Sequence, residues 1–147
     1  DGLNVGMRHI SLSTCGLIPG IRRLADLRLQ LTLSVSLHAP DNETRSRLMP
    51  VNRTYDVEAL FAACHDYFRR TGRRISFEYA LIAGENDTDK DAKDLGELLR
   101  GFPAHLNLIP VNAVAESGAD IAFFRFIGKA AGRQAPGWRI PARRRGA

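Results

Sequence analysis

Hydrophobic and polar residues alternate in four short runs along this chain: RHISLST (Arg8 to Thr14), LTLSVSLH (Leu31 to His38), RRISFEYALI (Arg73 to Ile82) and HLNLIP (His105 to Pro110). Alternation with a period of two marks a β-strand with two unlike faces, because successive side chains point to opposite sides of a sheet. In the second run Leu31, Leu33, Val35 and Leu37 share one face, and Thr32, Ser34, Ser36 and His38 share the other. An amphipathic strand facing open water usually carries Lys or Glu there. Here each polar member is small or an imidazole.

Between these runs the period lengthens. Val57, Leu60, Phe61, Cys64 and Phe68 keep the spacing of one buried helix face, opened by Asp56 and closed at Gly72. Leu95, Leu98 and Leu99 repeat it after Asp87 and Thr88, closed at Gly101. Shorter helical patterns follow Pro19 and Gly20, with Ile21 and Leu24, and cover Asp41 to Met49; a last helix is expected around Ile121 to Ala131.

Strands alternating with helices predict βαβ units and a parallel sheet. Two architectures fit, an open doubly wound sheet or an arc of a β/α barrel. Polar faces separate them. Ser11 and Ser13, then Thr32, Ser34, Ser36 and His38, then Arg74, Ser76 and Glu78, then His105 and Asn107 repeat one pattern on every strand. A sheet covered by helices on both faces has nearly continuous apolar strands, whereas a barrel interior that holds a polar ligand suits hydroxyls and carboxamides. The fold class expected is therefore α/β, an arc of a partial (β/α) barrel, incomplete because four such strands cannot close. Chemistry in such barrels gathers at the carboxyl ends of the strands. Those ends carry Ser13 to Gly16, Ser36 to Pro40, Glu78 and Tyr79 with Gly84 to Asp87, and Asn107 to Asn112.

The 147 residues, 44% of them hydrophobic, have the size of one domain with a sizeable core. No run approaches the roughly 20 apolar residues of a membrane span, and no signal peptide is recognisable, so a cytoplasmic protein is expected. Two cysteines, Cys15 and Cys64, and four scattered histidines make no metal motif. The net charge is +5, with arginines at 22, 23, 45, 47, 69, 70, 73, 74 and 143 to 145. Such a surface suits a phosphate backbone or simply keeps a protein in solution.

Single residues leave their roles open. His38 is a packed residue or a ligand contact; Ser13 and Ser36 bond to backbone or to a ligand. Glu78 pairs with Arg74 or faces a site. Asn86 or Asp87 caps the following helix, and Asn112 reads a ligand or braces a turn.

Taken together, RHISLSTCGLIPGIRRLA, LSVSLHAPDNETRSRLMPVN, RRISFEYALIAGENDTDKDA and HLNLIPVN resemble the second half of the RlmN-type radical SAM methyltransferases, which methylate carbon 2 of adenine in 23S ribosomal RNA and transfer RNA. The resemblance covers roughly Gly2 to Gly118. It implies a partial barrel of the radical SAM type, with S-adenosyl-L-methionine contacted by Ser13, by Ser36, Leu37 and His38 of the S-L-H triplet, and by Asn112. It also implies a [4Fe-4S] cluster, RNA partners, no membrane, and a monomer.

Departures from the family pattern set further expectations. The family's C-x3-C-x2-C cluster motif and its G-E-P segment lie before the part matched here, and its D-A-A-C-G-Q-L cysteine segment is not found. The chain opens at Asp1 without methionine and closes in ARRRGA, and the stretch from Ala119 to Pro141 fits the family poorly. Residues 1–118 are thus expected to be the carboxyl-terminal half of a radical SAM barrel domain and 119–147 a divergent or truncated tail. The chain reads as a fragment, inactive alone, with no catalytic residue and no metal ligand assignable, Cys15 and Cys64 included. The alternative is a non-catalytic RNA-binding remnant.

Overall fold

The computed structural model describes residues 6–110. Its strands are β1 (Ser11–Thr14), β2 (Thr32–Ser36), β3 (Ile75–Leu81) and β4 (Ala104–Pro110), and its helices are α1 (Ile18–Leu27), α2 (Asn42–Leu48), α3 (Val57–Thr71) and α4 (Asp89–Leu98). The strands form one parallel sheet in the order β1-β2-β3-β4. Spatial order equals chain order, so every crossover steps the same way. With the right-handed crossover that strand twist imposes, every helix falls on the same face.

Burial follows that arrangement. Leu33, Val35, Leu37, Ile75, Phe77, Tyr79 and Leu81 form one core with Ile21 and Leu24 of α1, Leu60, Phe61 and Cys64 of α3, and Leu95 of α4. Phe61 stacks on Phe77 with ring centroids 4.9 Å apart and planes 9° apart, and Phe102 meets Phe61 edge-on at 6.2 Å. The other face of the sheet keeps its hydroxyls and its carboxylate. Among the described residues this is the one-sided helix layer of a barrel arc, as the strand alternation predicts, and not the two-sided layer of a doubly wound sheet.

Local chemistry explains the element ends. Asp56 accepts the Ala59 N–H at 2.7 Å to open α3, and Gly72, at φ 67°, closes it in the left-handed conformation that costs glycine least. Thr88 opens α4 through a capping box with Asp91. The expected caps Asn86 and Asp87 are therefore corrected to Thr88. Helix α1 begins at Ile18 rather than after Gly20, because Pro19 fits the first helical turn, where its missing N–H has no partner to lose. Met7–His9 form a 3₁₀ turn instead of the start of β1, since pairing with β2 begins only where the Ile10 carbonyl accepts the Thr32 N–H. The helix expected around Ile121 and the boundary at residue 118 lie outside the described residues.

Candidate functional site

The sheet register brings the polar side chains into rows. Ser13 lies opposite Ser34, Ser34 opposite Ser76, and Ser76 opposite His105; one step toward the carboxyl ends, Ser36 lies opposite Glu78 and Glu78 opposite Asn107. Ser34, at the centre, is buried and shares a 3.2 Å hydroxyl contact with Ser11. Ser13 is exposed at the rim, while Ser36, Ser76 and Glu78 are half-buried. No ion pair joins Glu78 to Arg74 among the described residues.

Beyond Ser36 the chain turns sharply at His38, whose φ of 60° is uncommon for a residue with a side chain. Four bonds hold it there, one of them from its own N–H to the Glu78 carbonyl at 3.4 Å. The Leu37 N–H continues the ladder to the Glu78 carbonyl at 2.9 Å. The Ala80 N–H, which has no further β2 carbonyl to reach, donates to Nδ1 of His38 at 3.0 Å. The His38 carbonyl accepts from Nδ2 of Asn86 at 2.6 Å. With Nδ1 accepting, the neutral ring carries its proton on Nε2, which becomes a donor. Burial pushes the imidazole below the usual histidine range; Glu78 pulls it back up and Arg45 pushes it further down. At neutral pH the ring is therefore the neutral Nε2–H form.

Leu37 differs from its neighbours. Its side chain is fully buried in the core on the helix side, so only its backbone belongs to the polar face. Asn112 lies outside the described residues.

Two residues that complete the site were not singled out for it by pattern. Arg45 counts among surface cations in a charge tally, yet it is 0% exposed. Its Nε donates to the Leu37 carbonyl at 3.1 Å, Nη1 to Oδ1 of Asn52 at 2.9 Å, and Nη2 to the carbonyls of Cys15 at 2.8 Å and Ser36 at 3.2 Å. The signal for it was present in NETRSRL. That stretch forms a helix with a single apolar residue, Leu48, so a polar residue had to fill its inward face. Asn86 is the second. Also fully buried, it donates to the carbonyls of His38 and Ala80, accepts the Ile82 N–H at 2.7 Å, and receives the Tyr79 hydroxyl on its own carbonyl at 2.8 Å.

The strand ends thus carry a hydroxyl rim, a neutral imidazole donor and a carboxylate on one polar face, with two buried clasps behind them. Such a face suits a ligand bearing both donors and acceptors. Among the described residues, no group of three or more His, Cys, Asp or Glu could hold a metal ion, and no helix is long and apolar enough to cross a membrane.

No family model matches the chain. Among curated proteins it is 56% identical over 118 residues to the "Probable dual-specificity RNA methyltransferase RlmN" of Alkaliphilus oremlandii, covering 80% of this chain and 34% of that protein. It is 58% identical over 118 residues to the protein of the same name from Pelotomaculum thermopropionicum, covering 80% of this chain and 32% of that protein. Among solved structures, the crystal structure of a radical SAM methyltransferase from Sphaerobacter thermophilus superposes with a TM-score of 0.84 at 46% identity, over 92% of this chain and 41% of that one. The chain spans about a third of the length of these curated relatives. Over the stretch matched, the chain is similar to proteins named RlmN and shares the fold of a radical SAM methyltransferase.

Proposed function

We propose that the protein containing this chain transfers a methyl group from S-adenosyl-L-methionine to carbon 2 of adenine in 23S ribosomal RNA and transfer RNA, by a radical mechanism. In this reading residues 1–118 are the second half of the barrel domain and 119–147 a divergent tail, and the protein works as a cytoplasmic monomer. The observation that carries the reading is the polar face that no described helix covers: Ser13, Ser36 and His38 stand at neighbouring strand ends in a chain more than half identical, over 118 residues, to proteins named RlmN.

The side chains suit S-adenosyl-L-methionine. Hydroxyls of Ser13 and Ser36 can each donate or accept, and Nε2 of His38 donates toward a carboxylate or ring nitrogen. Asn112 joins them in this proposal, as does the backbone of Leu37. When bound, the ligand supplies the methyl group. A [4Fe-4S] cluster finds no ligand set among the described residues, and neither Cys15, exposed, nor Cys64, buried, is assigned to it. What these residues do is bind and orient.

The test is methyl transfer by the protein as its own gene encodes it, reconstituted with iron and sulfide under anaerobic conditions. Methyl-labelled S-adenosyl-L-methionine and transcripts of 23S ribosomal RNA and transfer RNA are supplied, and 2-methyladenosine is measured by mass spectrometry. Label at carbon 2 is expected. Salt-dependent RNA binding with neither ligand binding nor label would overturn the enzyme and leave the RNA-binding alternative.

A further inference from the structure

Arg45 is an unusual residue to find at 0% exposure. A buried guanidinium is costly unless it is paired, and its four bonds go to three backbone carbonyls and one carboxamide, with no carboxylate among them. Those carbonyls belong to Cys15, which follows β1, and to Ser36 and Leu37, at the end of β2. Parallel strands end in carbonyls that have run out of ladder partners, and the planar fork of five N–H donors suits several at once. The fork itself is braced. Asn52, 4% exposed, accepts from Nη1 and donates to Ser46 at 2.9 Å and to the carbonyl and side chain of Asn42 at 3.2 and 3.1 Å. On the far side Gly16, at φ 106°, comes so close that a Cβ there would stand 3.1 Å from Nη2.

From this geometry we infer that Arg45 is a positioning residue of the ligand site, tying the ends of β1 and β2 together so that Ser36 and His38 stand where a ligand on the polar face meets them. The inference rests on the functional reading above for the identity of that ligand. It does not rest on it for the tie itself. Ser36 and Leu37 offer their carbonyls to the fork, and His38 is the next residue along the chain. The same guanidinium is one of two charges that act on His38, opposing Glu78 of β3.

The experiment compares Arg45→Met and Asn52→Ala with the wild type, each in the protein as its own gene encodes it. Affinity for S-adenosyl-L-methionine is measured by calorimetry at a temperature where circular dichroism shows every protein folded. NMR follows the His38 ring and the Ala80 amide through a pH titration. Affinity is expected to fall about tenfold to a hundredfold in Arg45→Met, the range that outer-shell partners of metal ligands show taken as the scale, and less in Asn52→Ala. In Arg45→Met the His38 ring should also titrate at higher pH, because a nearby positive charge is gone, while in Asn52→Ala that titration should stay put.

A lowered melting temperature with wild-type affinity and an unmoved His38 and Ala80 would reduce Arg45 to a packing role and overturn the inference. If Arg45→Met does not fold, Asn52→Ala decides: full affinity in the folded variant refutes positioning. If the wild type binds no S-adenosyl-L-methionine, the functional reading fails, and the tie is judged on His38 and Ala80. Movement of both in Arg45→Met supports it, and stillness overturns it.

Discussion

Replacing Asn86 with alanine removes a knot that joins three segments of the chain. The side chain donates to the His38 carbonyl at 2.6 Å and the Ala80 carbonyl at 2.7 Å, and accepts the Ile82 N–H at 2.7 Å. Asn86 is 0% exposed, so water cannot step in without the loop opening. A hydrogen bond contributes about 0.5–1.5 kcal/mol net, and each buried group left unpaired costs about 1–3 kcal/mol. Three bonds lost together place Asn86→Ala at about 3–5 kcal/mol of destabilisation. Urea denaturation read at the midpoint, with the slope unchanged, gives the global figure. Hydrogen exchange at Ile82 gives the local one, expected to speed up by more than about a hundredfold, since 1.4 kcal/mol is a factor of ten. A loss below about 1 kcal/mol with Ile82 still protected would refute the claim that this side chain holds the turn.

The aspartate variant sharpens the test, because it keeps the shape and changes only the donors. In Asn86→Asp, one oxygen can still accept from Ile82, and the other faces two carbonyl oxygens. That repulsion, with burial, raises the folded carboxyl pKa above its unfolded value of about 3.9. A raised folded pKa means stability is present in acid and is lost as pH rises from the unfolded pKa through the folded one. Asn86→Asp should therefore be less stable than Asn86→Ala at pH 7 and recover toward pH 4. An Asp variant as stable as wild type at pH 7 would show that donation from Nδ2 is not what matters.

Phe77→Ala removes the ring that stacks on Phe61 at the middle of the core, and should cost about 3–5 kcal/mol in chemical denaturation. Gly16→Ala forces a side chain into φ 106° and against Arg45 and Leu60; a loss of roughly 1–3 kcal/mol is expected from the melting curve. Burial pushes the Cys64 thiol up to about 12, whereas the unfolded thiol titrates near 9. Stability should thus decline between pH 9 and 12 by up to roughly 1.4 kcal/mol per pH unit, and Cys64→Ala should remove that part of the slope. A thiol reagent at neutral pH should label exposed Cys15 and leave Cys64 intact until the protein unfolds.

The strands and the one-sided helix layer were legible in the sequence because period-two alternation and the i, i+3, i+4 stripe report burial directly. β3 shows it most plainly, with Ile75, Phe77, Tyr79 and Leu81 buried and Ser76, Glu78 and Ala80 half-buried between them. Element ends were less legible. Whether Arg8 to Ile10 join β1 depends on where a partner strand begins, and no local pattern encodes that. The polar face could be read as facing a shared cavity because small hydroxyls are a poor choice for open water. Arg45 and Asn86 escaped because their partners are backbone carbonyls and amides. A bond from a side chain to backbone needs no complementary residue type at its other end, so no spacing or charge pattern announces it.

That difference separates the residues of the polar face from those that hold the strand ends. Ser13, Ser36 and His38 present their polar groups to the open face, yet little in their own side chains fixes where they stand. His38 is the exception, since its Nδ1 replaces a backbone partner for Ala80 and so spends one nitrogen on structure. The two clasps act on either side of β2: Arg45 reaches from the end of β1 to the end of β2, and Asn86 from the turn after β2 to the end of β3. The carbonyls before and at His38 are thereby tied, those of Ser36 and Leu37 by a cation and its own by an amide. The cation also helps keep the ring neutral, and the amide fixes its carbonyl. A substitution at either clasp should alter the imidazole without touching it. A substitution of the imidazole should leave the Arg45 clasp standing, because none of its four bonds ends on His38.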